Sequence, residues 1–380
     1  MIQSAGRSAL RQPARMLPAS AILSRLIAMS LLVQLSGCGL VDAIFTAPEV
    51  AQAPGPEIST LPQPPLDANR FELVPGDDAV GRLQVVAARE EDTFVDIARS
   101  YGVGFDSLKQ ANPGVDPWLP GAGTPVVLPT QFILPEAPRE GLVLNIATKR
   151  LFYFPAPVAG EPAIVETYPI GIGREGWATP TGETSVVSKA RDPVWFVPAS
   201  IREEHAAAGD PLPAQVPPGP DNPLGTRVLG LGIPGYLIHG TNKPAGVGMR
   251  VSHGCVRLYP EDIESLFERV PLGTPVRIVN QPYLFGWQAG DLLLEAHPPL
   301  DEDPRDWTAG LAERARASLV DYQGPPPSIA LERLAAISDA RRSFPVSVLS
   351  ARPGLEETAQ RALPVENIVT YEWLADRDPD

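Results

Sequence analysis

Cys255 and His239 are the two side chains of this chain best suited to covalent chemistry. Cysteine attacks a carbonyl only as its thiolate, and an imidazole within reach can take the proton and steady the charge. The chain has two cysteines and four histidines. One cysteine and one histidine sit together in Ser252-His253-Gly254-Cys255, and His239 lies a short way upstream. The intervening loop contains Gly246, Gly248 and Gly254, and Gly254 would let backbone approach a substrate carbonyl closely. Backbone N–H groups around Gly254 and Cys255 could then hold the oxyanion of a tetrahedral intermediate. Three plainer readings compete. His239, His253 and Cys255 could bind zinc, although no Cys-x-x-Cys or His-x-x-x-His spacing supplies a fourth ligand. The histidines could be core residues satisfied by backbone, and the cysteine a buried, inert thiol. Spacing alone leaves these open.

The elements that must position these residues read mainly as strands. Leu142–Ile146, Arg150–Phe154, Ile164–Tyr168, Thr184–Val187 and Gly235–His239 are short apolar runs separated by Gly and Pro turns. Regular strands with few helices predict a sandwich or open barrel. His239 would end a strand, and a strand–loop–return would bring it to the same end of a sheet as Cys255. A helix is expected after the motif, with Glu261 and Asp262 at its start and Ile263, Leu266, Phe267 and Val270 as its buried stripe. Val276–Val279 reads as a last strand. Beyond about residue 300, Trp307, Leu311, Ala315 and Leu319 suit one helix. Leu331, Leu334 and Ile337 suit another, with Ser328 as its cap.

Upstream lies a smaller unit. Leu83–Ala87 alternates like a strand. Asp92 or Thr93 can cap a helix carrying Phe94, Ile97, Ala98 and Tyr101. A second helix carries Phe105, Leu108 and Ala111 and ends at Asn112-Pro113-Gly114, and Thr124–Leu128 is a second strand. Strand–helix–helix–strand at this length resembles a LysM module, which implies binding to cell-wall glycan. The module's usual Gly-Asp-Thr is here Glu91-Asp92-Thr93. A small packing domain without a ligand is the alternative.

Composition bounds the rest. The 380 residues have room for two or three domains, and 44% hydrophobic residues supply a core. The 45 prolines fit a loop-rich fold. A net charge of −14 repels a phosphate backbone, so nucleic acid is a poor partner. Arginines precede the apolar run Leu26–Leu35, which is too short to span a bilayer and suits a signal-peptide core. Leu35-Ser36-Gly37-Cys38 resembles a bacterial lipobox, with Cys38 as the lipidation site. A secretion signal with an incidental cysteine is the alternative. Residues 38–69, rich in proline, read as an extended tether that could reach on the order of 90 Å. With Cys38 acylated, Cys255 has no partner in the chain and stays a free thiol.

His239-Gly240-Thr241-Asn242 followed by Ser252–Leu258 is similar to the signature of the L,D-transpeptidases, the YkuD fold. The likeness runs upstream through Pro169–Gly173, Thr179–Gly182 and Gly219–Gly225, and downstream to Gly273–Val276. It covers roughly 141 to 280. It implies a mainly β, YkuD-type β-sandwich. The resulting division is a lipoprotein signal (1–37), tether (38–69), LysM-like module (70–135), catalytic domain (136–282) and helical C-terminal extension (283–380). The resemblance implies Cys255 as nucleophile and His239 as base, with the Gly240 carbonyl orienting the imidazole and His253 beside them. Ser252 and Gly254 shape the substrate loop, and Arg257 and, more weakly, Arg250 would hold the stem peptide. It also implies acyl transfer on peptidoglycan tetrapeptide stems, forming 3–3 cross-links or attaching a small envelope lipoprotein, with no cofactor or metal. An L,D-carboxypeptidase, a hydrolase of the same bond, and a catalytically silent wall-binding anchor are the alternatives. The expected place is the periplasm, lipid-anchored at the outer membrane.

Overall fold

The computed structural model describes residues 62–320, 322 and 325–370. The signal region, Cys38 and the tether up to residue 61 lie outside the described residues. The first elements are β1 (Arg70–Glu72), β2 (Ala79–Gly81), β3 (Gln84–Ala87), α1 (Phe94–Ser100), α2 (Phe105–Ala111), β4 (Pro125–Leu128) and β5 (Gln131–Ile133). The strand–helix–helix–strand order predicted over 83–128 is present as β3-α1-α2-β4. Thr93, of the two candidate caps, starts α1: its side chain accepts from the Asp96 amide while Asp96 reaches back to the Thr93 amide. Phe94, Ile97 and Leu108 from the helices meet Val126 and Leu128 of β4 in one buried cluster.

The central elements are β6 (Gly141–Asn145), β7 (Arg150–Phe154), β8 (Ile164–Pro169), β9 (Ile172–Gly173), β10 (Gly182–Arg191), β11 (Trp195–Phe196), α3 (Ala199–Ala207), β12 (Gln215–Val216), β13 (Arg227–Leu231), β14 (Leu237–His239), β15 (Arg250–Ser252), β16 (Val256–Arg257), α4 (Pro260–Arg269) and β17 (Pro275–Val279). Nine strands are hydrogen-bonded in the order β1-β8-β7-β6-β17-β10-β13-β14-β16. The long strand β10 is the corner. Gly182–Ser185 pairs with β17, Val186–Arg191 pairs with β13, and the register shifts between Val186 and Ser188. Such a bulge turns a strand from one sheet into the next. Leu142, Leu144, Leu151 and Val276 from one side then share a core with Leu229, Ile238 and Val256 from the other. This is the expected sandwich. α4 closes the core with Ile263, Leu266 and Phe267. Pro260 at its first position and Glu261 and Asp262 in its first turn suit a helix start. β6 is buried along its whole length because Leu142 and Leu144 face this core while Val143 faces a second cluster with Phe132, Phe152 and Val165.

The C-terminal part corrects the expectation of a helical extension over 283–380. It opens with a hairpin, β18 (Tyr283–Gln288) and β19 (Asp291–Ala296), then α5 (Leu311–Ala317), α6 (Leu331–Ala340), β20 (Val346–Ser347), α7 (Leu355–Gln360) and β21 (Leu363–Val365). Ala289 and Gly290, both at positive φ, make the hairpin turn. The expected helices are α5 and α6, but Ala330, not Ser328, occupies the cap position of α6. The segments also interlock. β21 runs parallel to β3 and extends its sheet, while β1 pairs with β8 at the edge of the large sheet. The sequence boundary at 70–135 therefore cuts through shared sheets. No helix among the described residues is long and apolar enough to cross a membrane.

Candidate active site

β14 and β16 lie parallel, with Ile238 opposite Val256 and His239 opposite Arg257. Ile238 and Val256 point into the core. Side chains alternate along a strand, so His239, Arg257 and Cys255, which leads into β16, share the opposite face. The sequence window thus becomes one surface with a thiol, an imidazole and a guanidinium on it.

His239 is buried, and its Nδ1–H donates to the Gly240 carbonyl at 2.6 Å. That bond fixes the tautomer and leaves Nε2 with its lone pair. Burial pushes the imidazole pKa down to about 3, with Arg257 adding to the effect and backbone contacts at Gly240 and Leu224 opposing it. Burial likewise pushes the Cys255 thiol up, against the Leu237 backbone and Arg257, which pull it down. The resting pair is therefore neutral imidazole and thiol, and a charged pair has to be created during reaction. Arg257 is itself half-buried, and its pKa is lowered by desolvation. No carboxylate among the described residues pairs with it, and its Nε has no hydrogen-bond partner.

The loop before Cys255 is held by its own side chains. Ser252 Oγ donates to the Cys255 carbonyl at 2.6 Å and accepts from the Gly254 amide at 3.2 Å. The Gly254 amide, expected to face an oxyanion, is thus already engaged. Thr179 Oγ1 donates to the Gly254 carbonyl at 2.9 Å and accepts from the Gly173 amide at 3.1 Å. Gly254 has φ +100°, and a Cβ there would lie 3.0 Å from the Tyr236 ring. No other residue fits that turn without strain. The smaller N-terminal unit braces the same loop from behind. Asp106 N donates to the Gly248 carbonyl at 3.4 Å, and Met249 packs on that unit's core. A Cβ on Gly248 would lie 2.4 Å from Gly104 Cα.

Two expected residues play different parts. The His253 Nε2 sits 3.0 Å from Arg174 Nη2. The same nitrogen faces Glu204 Oε2, so it is engaged by the Arg174–Glu204 pair rather than by the thiol. His253 is a loop residue held by Arg174, Glu204 Oε2 at 3.4 Å and the edge of Trp177, rather than a partner to the thiol. Arg250 is engaged by acidic residues of the C-terminal part, and its Nε donates to the Gly173 carbonyl at 3.4 Å. It pairs with Glu302 at 2.7 and 2.9 Å and with Asp301 at 3.4 Å, tying β15 to the C-terminal part. The sequence reading missed Arg174, Trp177 and Glu204. Arg174 and Trp177 lie between two stretches that carried the family likeness, whereas Glu204 is on a separate helix with no local signal. Among the described residues no group of three or more His, Cys, Asp or Glu could hold a metal ion.

Comparison with known proteins gives the chain's relatives. A model of the L,D-transpeptidase catalytic domain, YkuD, matches residues 139–278. The protein named probable L,D-transpeptidase YcfS of Escherichia coli is 41% identical over 291 residues, covering 75% of this chain and 89% of that one. Its match is longer than the catalytic domain alone. Probable L,D-transpeptidase YbiS of Escherichia coli is 44% identical over 229 residues, covering 59% of this chain and 73% of that one. Among solved structures, L,D-transpeptidase 3 of Mycobacterium tuberculosis overlaps 40% of this chain and 66% of its own at 22% identity, with a TM-score of 0.27.

Proposed function

The chain belongs to the L,D-transpeptidase family, and from that premise we propose that it transfers an acyl group within peptidoglycan through a Cys255 thioester. The observation that carries this reading is the shared face of His239, Cys255 and Arg257 on the β14–β16 pair. The donor is a tetrapeptide stem. As Cys255 Sγ attacks the carbonyl of its third residue, diaminopimelate, the thiol proton passes to His239 Nε2. The new C–S bond gives a tetrahedral oxyanion, for which the Cys255 amide serves as donor, the Gly254 amide being engaged by Ser252 Oγ. The C–N bond then breaks, and terminal D-Ala leaves as an amine carrying the proton returned by His239. An acceptor amine attacks the thioester, forming an amide and restoring the thiol. A diaminopimelate amine of a second stem yields a 3–3 cross-link, and a lysine amine of an envelope lipoprotein yields protein anchored to the wall.

Burial keeps the His239 imidazole neutral at rest, with an Nε2 lone pair to accept the proton. It also weakens the base, so the charged pair must be stabilised as it forms; Arg257 beside the sulfur favours the thiolate. The apolar run, Cys38 and the proline-rich tether support a lipid-anchored, periplasmic enzyme. The β3-α1-α2-β4 unit is read as a LysM-like module for wall glycan, on its strand–helix–helix–strand order. The test is incubation of residues 62–380 with tetrapeptide muropeptides. D-Ala release with stem dimers supports cross-linking. Release without dimers, restored to product by a lysine-bearing lipoprotein peptide, points to anchoring, and release into water alone makes the enzyme a carboxypeptidase.

A further inference from the structure

We propose that Arg174 is a specificity-determining residue that grips a carboxylate of the acyl donor, and that Glu204 of α3 occupies it as an internal carboxylate until substrate displaces it. The inference rests on the reading above that the donor is a stem peptide. Arg174 is built into the catalytic loop. Its amide donates to the Ser252 carbonyl at 3.0 Å, and its own carbonyl accepts from the Trp177 amide at 2.9 Å. Its guanidinium reaches His253, two residues before Cys255, and pairs with Glu204 Oε1. Both contacts are made by Nη2. Nη2 belongs to both edges by which a guanidinium can grip a carboxylate with two parallel bonds, so Glu204 must leave before a ligand carboxylate can seat in the fork.

The Arg174 and Glu204 side chains are each 39% exposed, so a ligand can reach them. The helix that brings Glu204 is lightly held. Of α3's nine residues only Ile201 is buried, and no side chain caps its start. Displacing it costs little apolar burial. Arg174 holds the Glu204 carboxyl below its ordinary value, so an ionised carboxylate occupies the fork at neutral pH. The protein carries a net charge of −14, which repels an anionic stem. A local cation on the loop that carries the nucleophile offsets that repulsion. The stem offers two carboxylates near the attacked carbonyl, one on the diaminopimelate side chain and one on terminal D-Ala.

Three stems distinguish the source: the free acid, one amidated on diaminopimelate and one amidated at the D-Ala terminus. Initial rates are measured for wild type, Arg174→Gln and Glu204→Gln, with circular dichroism confirming folding. Arg174→Gln should raise KM for the acid stem roughly ten- to hundredfold, the scale of one lost charge-assisted pair. It should leave unchanged the KM of the stem whose amidation removes the gripped carboxylate. Glu204→Gln should lower KM for the acid stem about threefold or more by vacating the fork. Equal effects of Arg174→Gln on all three stems would reduce the residue to a structural clasp and overturn the proposal. Binding of the same stems to Cys255→Ala, by calorimetry, separates this from the function itself. An inactive wild type with acid-selective binding that Arg174→Gln abolishes sinks the acyl-transfer reading and keeps the carboxylate site. Loss of both binding and activity for every stem overturns both.

Discussion

His239 and Arg257 stand opposite each other across the parallel β14–β16 pair, so a neutral base and a half-buried cation flank one thiol. Each shapes the other's chemistry. Arg257 helps to keep the imidazole uncharged, and it supplies the positive charge that a thiolate needs.

Thiol titration reports this arrangement. The alkylation rate of Cys255 by iodoacetamide should still be rising above pH 9, because burial holds the thiol above its ordinary value. Arg257→Gln should move the rise to still higher pH, since a charge favouring the thiolate is gone. A rate that levels off below pH 8 in the wild type would show that the thiol is already activated at rest.

His239→Gln keeps a polar side chain but removes the base. The expected loss in kcat is about 10²- to 10⁴-fold, the range of general acid–base catalysis. The KM for the stem should change far less. A comparable loss confined to KM would make His239 a binding residue.

Ser252→Ala removes the bridge between the Cys255 carbonyl and the Gly254 amide. Ser252 is 1% exposed, so the groups it leaves are desolvated. The cost should be about 1–3 kcal/mol in urea unfolding, and turnover should fall because the loop that presents the thiol loosens. An unchanged unfolding midpoint would show that the loop holds without it.

Two buried groups give opposite pH dependences of stability. His239 has a folded pKa of about 3 against an ordinary 6.5, so the unfolded chain binds more protons between those values. Its neutral burial is compatible with folding above pH 6.5 and becomes a liability as pH falls toward 3. Asp262, buried at the start of α4 with Oδ2 unpartnered, has its pKa raised to about 8 by burial and by Glu261. Here the folded chain binds more protons between 3.8 and 8, so the contribution is full below pH 3.8 and is lost as pH rises through 8. Asp262→Asn should therefore gain on the wild type in thermal unfolding as pH goes from 5 to 9. Parallel melting curves across that range would contradict it.

What was legible in the sequence follows from where the signals lie. Ser252-His253-Gly254-Cys255 is contiguous, and His239 ends a run with strand alternation, so the thiol–imidazole face could be read directly. The α1 cap was legible because Thr93 and Asp96 are local partners. The ion pairs of Arg250 were not legible because Asp301 and Glu302 come from a distant segment that only the fold brings to it. Glu204 was missed for the same reason. The Tyr283–Ala296 hairpin did leave a signal, two apolar runs around Ala289-Gly290, but its position beyond the family likeness hid it. The β21–β3 pairing joins residues almost three hundred positions apart, and no local pattern encodes that contact.

The most direct test is intact-protein mass spectrometry of the enzyme mixed with a tetrapeptide stem and no added acceptor amine. The expected spectrum carries one adduct equal to the stem minus D-Ala, mapped by digestion to Cys255 and missing from Cys255→Ala. D-Ala release that persists in Cys255→Ala, or an adduct on any other residue, would contradict a Cys255 thioester as the route of transfer.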